Sequence, residues 1–597
     1  MRPFFLAKLF SAIRLLRKNP RYFLLRTRQH IAFGKSTLPT YAEWLSDQLL
    51  IRIHNYPLPL TPTSFSILTT IYEKTDAFLL QETAESIFAQ TCPFHEWLIL
   101  AHGPVSEGVN KVLMHLELQS HVLVYRLTHN LGIMGGMKFC LDRASGDYIV
   151  PMDADDLITQ DALQIMAATI ERNERPAILY SDEDMLIKGE FTAPYFRTDW
   201  DPVLNLAGSY IWHLCAFRHD LATKLHVYTD IGGNWCHDWD TIFRFSNAGY
   251  IPFHVSEILY HWRQHSASST NRADPDSGSM RSTRDLLEKQ IALHPNPDRY
   301  KIERYPIGWR NKEWYIKRCP YMGLTMDIIV VARNSRSALR TLKSVLQNTN
   351  YPFGSVIVCL DEMIEDKLRT RFEMSFADTS IDKVNAKVNI QFVSNTGLDG
   401  IKIAGSKVTS PLILFCSDAI EVGDNIWPWE ALKLMEFHDD VAMVGGRLIK
   451  GNCIYDGGKY FEEDGQLVCH DRGQFANDSG YFSLSLRPHT VNALPLDFFV
   501  TRSDFFTSAI SSFPDIVQVN HLPKWLGAAA LENKLRVAFS PLISVNVKEN
   551  TLDSIVKENT NGAEYENFMF LYGQKVKGQQ LSSSYYTRYE KSFSNYT

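Results

Sequence analysis

Tyr148-Ile149-Val150-Pro151-Met152-Asp153-Ala154-Asp155-Asp156 runs from an apolar stretch straight into three carboxylates. The apolar part reads as a buried strand, and the acids stand where that strand ends. Like charges about 5 Å apart repel by about 3 kcal/mol at an effective dielectric near 20. Such a cluster demands full solvation or a cation. Ligands of α/β sheets gather outside the carboxyl ends of the strands. A hard divalent ion, Mn²⁺ or Mg²⁺, held by one or two carboxylates and completed by phosphate oxygens, suits that place. The competing reading from these residues is a solvated acidic turn ahead of a helix that begins near Gln160.

Upstream, Phe65 to Ile71 reads as a strand, Phe78 to Gln90 as a helix, Trp97 to Leu100 as a second strand and Val122 to Leu127 as a third. Asn130-Leu131-Gly132 then opens a helix that runs to about Ala144. This alternation predicts a mostly parallel α/β sheet. In that setting the sequence resembles the family 2 glycosyltransferases of the GT-A fold. The residues that carry the resemblance are Thr69-Thr70-Ile71-Tyr72, Ser86 to Thr91, Asn130 to Ile133, Ala144 to Tyr148 and the aspartate cluster. Further on come Tyr180 to Asp184, His237-Asp238-Trp239-Asp240 and Tyr260-His261-Trp262-Arg263-Gln264-His265, all in the family's order.

The resemblance implies an inverting, metal-dependent transfer of a sugar from a nucleotide-sugar donor to a glycan or lipid-linked acceptor. It implies Asp156 for the ion with Asp155 beside it, and His261 or His265 as the distant ligand. Asp153, Asp155 and Arg263 are expected at the nucleotide-sugar, Arg263 because its fork matches phosphate oxygens. Thr69, Ile71, Tyr72 and His102 are expected around base and ribose, and Gly135 where the backbone approaches the donor. Asp238 is the implied base that takes the proton of the acceptor hydroxyl. Asp240 is the expected structural partner of Arg244 one turn on. Asp182, Glu183, Trp212 and His237 are expected on the acceptor side, with a core role for Trp212 equally open. Two departures leave the donor base open: Ala101-His102-Gly103-Pro104 stands where relatives carry an acidic pair, and Met137 where an Arg is common. Rival readings are a non-catalytic sugar-nucleotide or glycan-binding scaffold and a nucleotidyltransferase. The latter is disfavoured because Thr69 to Lys74 contains no glycine.

The chain holds 597 residues, more than one hydrophobic core can serve. A net charge of -6 gives no footprint for nucleic acid. Nine cysteines without a C-x-x-C pair point to a reducing compartment. Met1 to Lys35 carries nine Lys or Arg residues and no acid, interleaved with Phe, Leu and Ile. No stretch there approaches the roughly 18 apolar residues of a spanning helix. An interfacial helix drawn to anionic lipid is expected, giving a cytoplasmic enzyme peripheral at the inner face of the plasma membrane. The alternative is a basic helix docked on the protein's own acids.

Ser86 to Thr91 is echoed by Ser344-Val-Leu-Gln-Asn-Thr349, and Phe65 to Tyr72 by Met326 to Arg333. The expected plan is two tandem Rossmann-like GT-A domains after a basic helical segment. The segment spans 1–62, the catalytic domain 63–275, a connector 276–322, the second domain 323–550 and a tail 551–597, with order fading after about Gln574. In the second copy Cys416-Ser417-Asp418-Ala419 replaces the acids, and the resemblance puts the last acid on Ala419. That copy is read as non-catalytic: an acceptor platform, a packing partner or the surface of a homo-oligomer.

Overall fold

A computed structural model describes residues 41–60, 63–211, 213–230, 235–264, 278–307, 313–320, 324–361, 370, 372, 389–462, 464–548 and 562–577. The basic stretch Met1 to Lys35, Trp212 and His265 lie outside these residues. Among the described residues no helix is long and apolar enough to cross a membrane.

The first sheet is built from β1 (Phe65–Ile71), β2 (Glu96–His102), β3 (Val122–Leu127), β4 (Tyr148–Pro151), β5 (Leu157–Ile158), β6 (Ile178–Ile187), β7 (Glu190–Tyr195), β8 (Cys215–Arg218) and β9 (Phe253–Gln264). Their order is β3-β2-β1-β4-β8-β6-β9-β5, with β7 paired to β6. β1 is parallel to β2 and β4, β2 to β3, and β6 to β9; β8 runs antiparallel between β4 and β6. Six of the seven β1 residues are buried, as helices on both faces of a parallel sheet require. Asp76 caps the first of those helices, Ala77–Phe88, by accepting from the Phe78 and Leu79 N–H groups.

A second sheet repeats this plan. Its strands run in the order Asn389–Val393, Phe353–Leu360, Met326–Ala332, Leu412–Ser417, Phe498–Arg502, Val441–Lys450, Arg536–Val547 and Ile420–Glu421. The helix Ser335–Asn348 is capped by Asn334, as Ala77–Phe88 is by Asp76.

The two halves share buried surface. Asp201 accepts from the Thr490 N–H at 2.7 Å and from its hydroxyl at 2.8 Å. The Tyr481 hydroxyl donates to the Pro194 carbonyl and accepts from the Phe196 N–H. The Phe482 ring stacks on Tyr195 at 4.0 Å. Between the halves, the helix Gly278–Leu293 and the hairpin Tyr300–Arg304/Trp314–Arg318 surround Trp239 and Phe243 of the first half. Arg318 pairs with Glu436 of the second half at 2.7 Å.

Two expected boundaries change. Tyr41–Asn55 is a helix of the first half rather than part of a separate basic segment. Its Arg52 is buried, paired with Asp161 at 3.2 Å and bonded to the Ile258 carbonyl at 2.8 Å. The expected tail contains the helix Gly562–Lys577. There Phe568 and Tyr572 pack on Trp525, and Glu564 accepts from the Trp525 indole at 3.0 Å.

Candidate active site

The turn after β4 brings Asp153, Asp155 and Asp156 together, with one carboxylate oxygen of each within 4.8 Å of the others. Among the described residues this is the one such group of metal-ligating side chains. Asp156 is the fixed member. Its backbone carbonyl accepts from the Thr83 hydroxyl at 2.8 Å. One carboxylate oxygen accepts from the Tyr260 hydroxyl at 2.6 Å and the other from the Arg263 N–H at 2.7 Å. Burial raises the Asp156 carboxyl well above the usual carboxylate range, and Asp153 and Asp155 add to this; Tyr260 and Arg263 offset part of it. A buried carboxyl pressed by two like charges is relieved by a positive ion. Each of its oxygens keeps a free lone pair, so an all-oxygen donor set for a hard cation fits these residues.

Around the cluster, the His213 ring stacks on Tyr260 at 4.6 Å with its Nε2 at 3.6 Å from Asp153, and its buried Nδ1 has no hydrogen-bond partner. Arg263 donates from Nε to the Asp155 carbonyl at 2.6 Å and pairs with Glu82 at 2.8 Å. Tyr72 is 44% exposed, and the Asp155 and Asp153 charges act on its hydroxyl.

His237 and Asp238 begin the helix His237–Asn247. The His237 Nε2 lies 3.0 Å from the Asp238 carboxylate. Burial would raise the Asp238 carboxyl, but the His237 imidazole outweighs it and holds the group below its ordinary range. Burial would likewise lower His237; Asp238 outweighs it and raises it. Both groups act electrostatically on Asp153, so the pair faces the aspartate cluster. Asp240 pairs with Arg244 at 2.6 Å, as its spacing implies.

Several expected site residues turn elsewhere. Thr69 and Ile71 are buried on the β1 face that also carries Phe65 and Ile67, and the Thr69 hydroxyl accepts from the Trp97 indole at 3.0 Å. Their side chains are therefore closed to base and ribose. His102 is buried, its Nδ1 accepting from the Leu131 N–H at 3.1 Å, and burial lowers its pKa. It is a neutral brace for the turn that opens the helix Gly132–Leu141. A Cβ at Gly136 would meet Thr70 at 2.9 Å and His102 at 3.1 Å, and one at Gly135 would meet Leu131 at 2.9 Å.

Asp182 and Glu183, expected on the acceptor side, lie inside β6. Asp182 accepts from the Arg197 N–H and pairs with His254 at 2.8 Å. Glu183 pairs with Arg197 at 2.9 Å. Both are buried and paired within the protein. His261 bonds through Nδ1 to Asp184 at 2.6 Å. Strand alternation puts it on the face opposite Tyr260, the residue that reaches Asp156. It is not a ligand to this cluster. Folding brings His213 to the aspartates as well.

In the second half, matching hydrogen bonds fix which residues correspond. Thr83 and Ser86 bond to the Asp156 carbonyl and the Ile158 N–H, as Thr341 and Ser344 bond to the Ile420 carbonyl and the Val422 N–H. In that register Asp153, Asp155 and Asp156 correspond to Ser417, Ala419 and Ile420. The last acid thus falls on Ile420, one residue beyond the expected Ala419. Asp418 corresponds to Ala154, is fully buried, and pairs with Arg333 at 3.0 Å.

Residues 66–225 match the model of the glycosyl transferase family 2. The chain is similar to the O-antigen biosynthesis protein RfbC of Myxococcus xanthus, 25% identical over 397 residues, covering 64% of this chain and 29% of that one. It is also similar to the UDP-Gal:alpha-D-GlcNAc-diphosphoundecaprenol beta-1,3-galactosyltransferase of Escherichia coli, 26% identical over 117 residues, covering 20% of this chain and 42% of that one. The chain spans less than half the length of the curated relatives it matches. Among solved structures, S. aureus TarS 1-349 aligns at 17% identity with a TM-score of 0.31, covering 38% of this chain and 66% of that one.

Proposed function

We propose that this chain, whose residues 66–225 form a family 2 glycosyltransferase domain, moves a sugar from a nucleotide-sugar to a glycan or lipid-linked acceptor in the building of a cell-surface polysaccharide. The observation that carries the reading is the convergence of three aspartates on one turn, faced by a His-Asp pair. Asp153, Asp155 and Asp156 would hold a divalent cation. When bound, such an ion stabilises the negative charge that grows on a departing diphosphate. Asp238, kept ionised beside His237, takes the proton of the acceptor hydroxyl as that oxygen attacks the anomeric carbon. The bond from that carbon to the diphosphate breaks on the opposite side, so the configuration inverts. Arg263 and Tyr72 border the donor, and Gly136 lets the helix Gly132–Leu141 lie close against β1.

The second half has Ser417, Ala419 and Ile420 at the aspartate positions, which supports a non-catalytic role for it. The names of the relatives, an O-antigen biosynthesis protein and a diphosphoundecaprenol galactosyltransferase, support the acceptor class. A basic amino-terminal stretch supports a place at the cytoplasmic membrane face.

Calorimetry and product release with nucleoside diphosphates and Mn²⁺ test the assignment. Asp238→Asn retains nucleotide binding and loses transfer by roughly a hundredfold. Asp156→Asn loses the Mn²⁺-dependent part of nucleotide binding. Transfer near the wild-type rate in either variant removes the role given to that residue.

A further inference from the structure

Two donors hold the Asp156 carboxylate, but Asp153 is half exposed. Among the described residues its one basic neighbour within 4 Å is His213, with Nε2 at 3.6 Å. His213 is itself fixed on several sides. Its ring lies on Tyr260, 4.6 Å between centroids and 18° between planes. Its carbonyl accepts from Arg197 at 2.7 Å, and the next N–H, of Leu214, donates to the Ser181 hydroxyl at 3.1 Å. Tyr260 thus serves both acids: its hydroxyl bonds Asp156, and its ring face carries the imidazole turned toward Asp153. His213 also acts electrostatically on Asp238, which puts it between the cluster and the His-Asp pair.

The surroundings set the tautomer. The buried Nδ1 meets no hydrogen-bond partner, so a lone proton there would be stranded, and Nε2 would turn a bare lone pair toward a carboxylate. With the proton on Nε2 the imidazole faces Asp153 as a donor. At 3.6 Å the contact is electrostatic, and the exposed Asp153 side chain has room to rotate into a hydrogen bond.

The second half shows which positions change together. Tyr148 faces Arg218 in the β4/β8 register, and continuing it brings Asp153 opposite His213. There Leu412 faces Arg502 and Ser417 comes opposite Asp497, to which its hydroxyl donates at 2.5 Å. Ile158 faces Tyr260, and Val545 takes the corresponding place opposite Val422. So His213 and Tyr260 are exchanged along with all three aspartates. Residues that build the shared frame recur instead: Thr83 as Thr341, Ser86 as Ser344, Asn130 as Asn395. A histidine that only packed the sheet would belong with that second group.

We propose, building on the cation-dependent reading of the first half, that His213 is a positioning residue whose Nε2–H orients the Asp153 carboxylate toward a bound divalent cation.

The test is titration of the full chain with Mn²⁺ at a fixed concentration of UDP, with electron paramagnetic resonance reading the free ion. Asp156→Asn loses tight uptake of Mn²⁺. His213→Phe keeps a ring against Tyr260 and deletes both nitrogens, so the Mn²⁺ concentration at half-saturation rises about tenfold, and His213→Gln, which returns an N–H near the place of Nε2, brings it back to within about threefold of wild type. In an Asp153→Ala background His213→Phe has no further effect, because the group it acts through is gone. The role is overturned if His213→Phe leaves half-saturation unchanged while Asp156→Asn raises it, if the glutamine variant restores nothing, or if His213→Phe weakens uptake equally without Asp153. Unaltered uptake in Asp156→Asn removes the cation reading itself, and this role with it.

Discussion

Replacing Arg197 with methionine separates the charge of this side chain from its bulk. Arg197 is almost fully buried. Its guanidinium meets Glu183 at 2.9 Å, the Ser181 carbonyl at 2.5 Å, the His213 carbonyl at 2.7 Å and the Tyr210 carbonyl at 2.8 Å. Methionine keeps much of the stem and deletes every donor. The Glu183 carboxylate is then buried and uncompensated, which costs about 3–5 kcal/mol. Each stranded carbonyl adds up to about 1–3 kcal/mol, not additively. Taking about 3 kcal/mol as the floor, the unfolding midpoint of the first half falls by at least about 6 °C at 2–4 °C per kcal/mol. Scanning fluorimetry and urea unfolding read this directly. In Arg197→Met/Glu183→Gln the stranded charge is gone, so the pair is less damaging than the sum of the singles, with a coupling of about 0.5–3 kcal/mol. An Arg197→Met protein within 2 °C of wild type, or strict additivity in the cycle, refutes the reasoning. Because Arg197 also holds the His213 carbonyl, Mn²⁺-dependent nucleotide binding weakens in the single variant.

Burial alone would lower the His254 pKa, but Asp182 at 2.8 Å and Asp199 at 3.0 Å outweigh it and raise it to about 9. A raised folded-state pKa stabilises fully below the ordinary histidine value near 6.5 and is lost as pH climbs through about 9. Urea midpoints measured from pH 6 to 10 therefore decline across that window, and His254→Gln flattens the decline. Tyr260→Phe removes the hydroxyl that bonds Asp156 at 2.6 Å and loosens the carboxylate, so the concentration of Mn²⁺ needed for half-maximal nucleotide binding rises severalfold in calorimetry. Deleting residues 1–36 releases the protein from anionic vesicles in a sedimentation assay, and unchanged sedimentation removes the membrane reading.

Strand order was legible where doubly covered strands carry apolar runs, as Trp97 to Leu100 and Tyr148 to Val150 do. Phe65–Ile71 and Val122–Leu127 also fall where the pattern puts them. The same property hid the orientation of Thr69. In a strand buried on both faces, residue type no longer distinguishes the two sides, so Thr69 and Ile71 could not be told from Thr70. One residue also separates Tyr260 from His261, and a shift of one flips the face. Asp182 and Glu183 were read on the acceptor side because their partners Arg197 and His254 are distant in sequence. The aspartate cluster was readable because its neighbours lie within four residues. Its His213 contact was not, since no local spacing links His213 to Asp153.

The contact between Asp201 and Thr490 spans 289 positions of the chain. At a synthesis rate of about 5–20 residues per second, the ribosome needs roughly 15–60 s to deliver the second partner after the first. Throughout that interval Asp201, Tyr195 and the surface beside them stand uncovered in the nascent polypeptide. Maturation of the amino-terminal half is thus timed by translation of the carboxyl-terminal half, and a message truncated before codon 490 yields a sticky intermediate in place of a smaller enzyme.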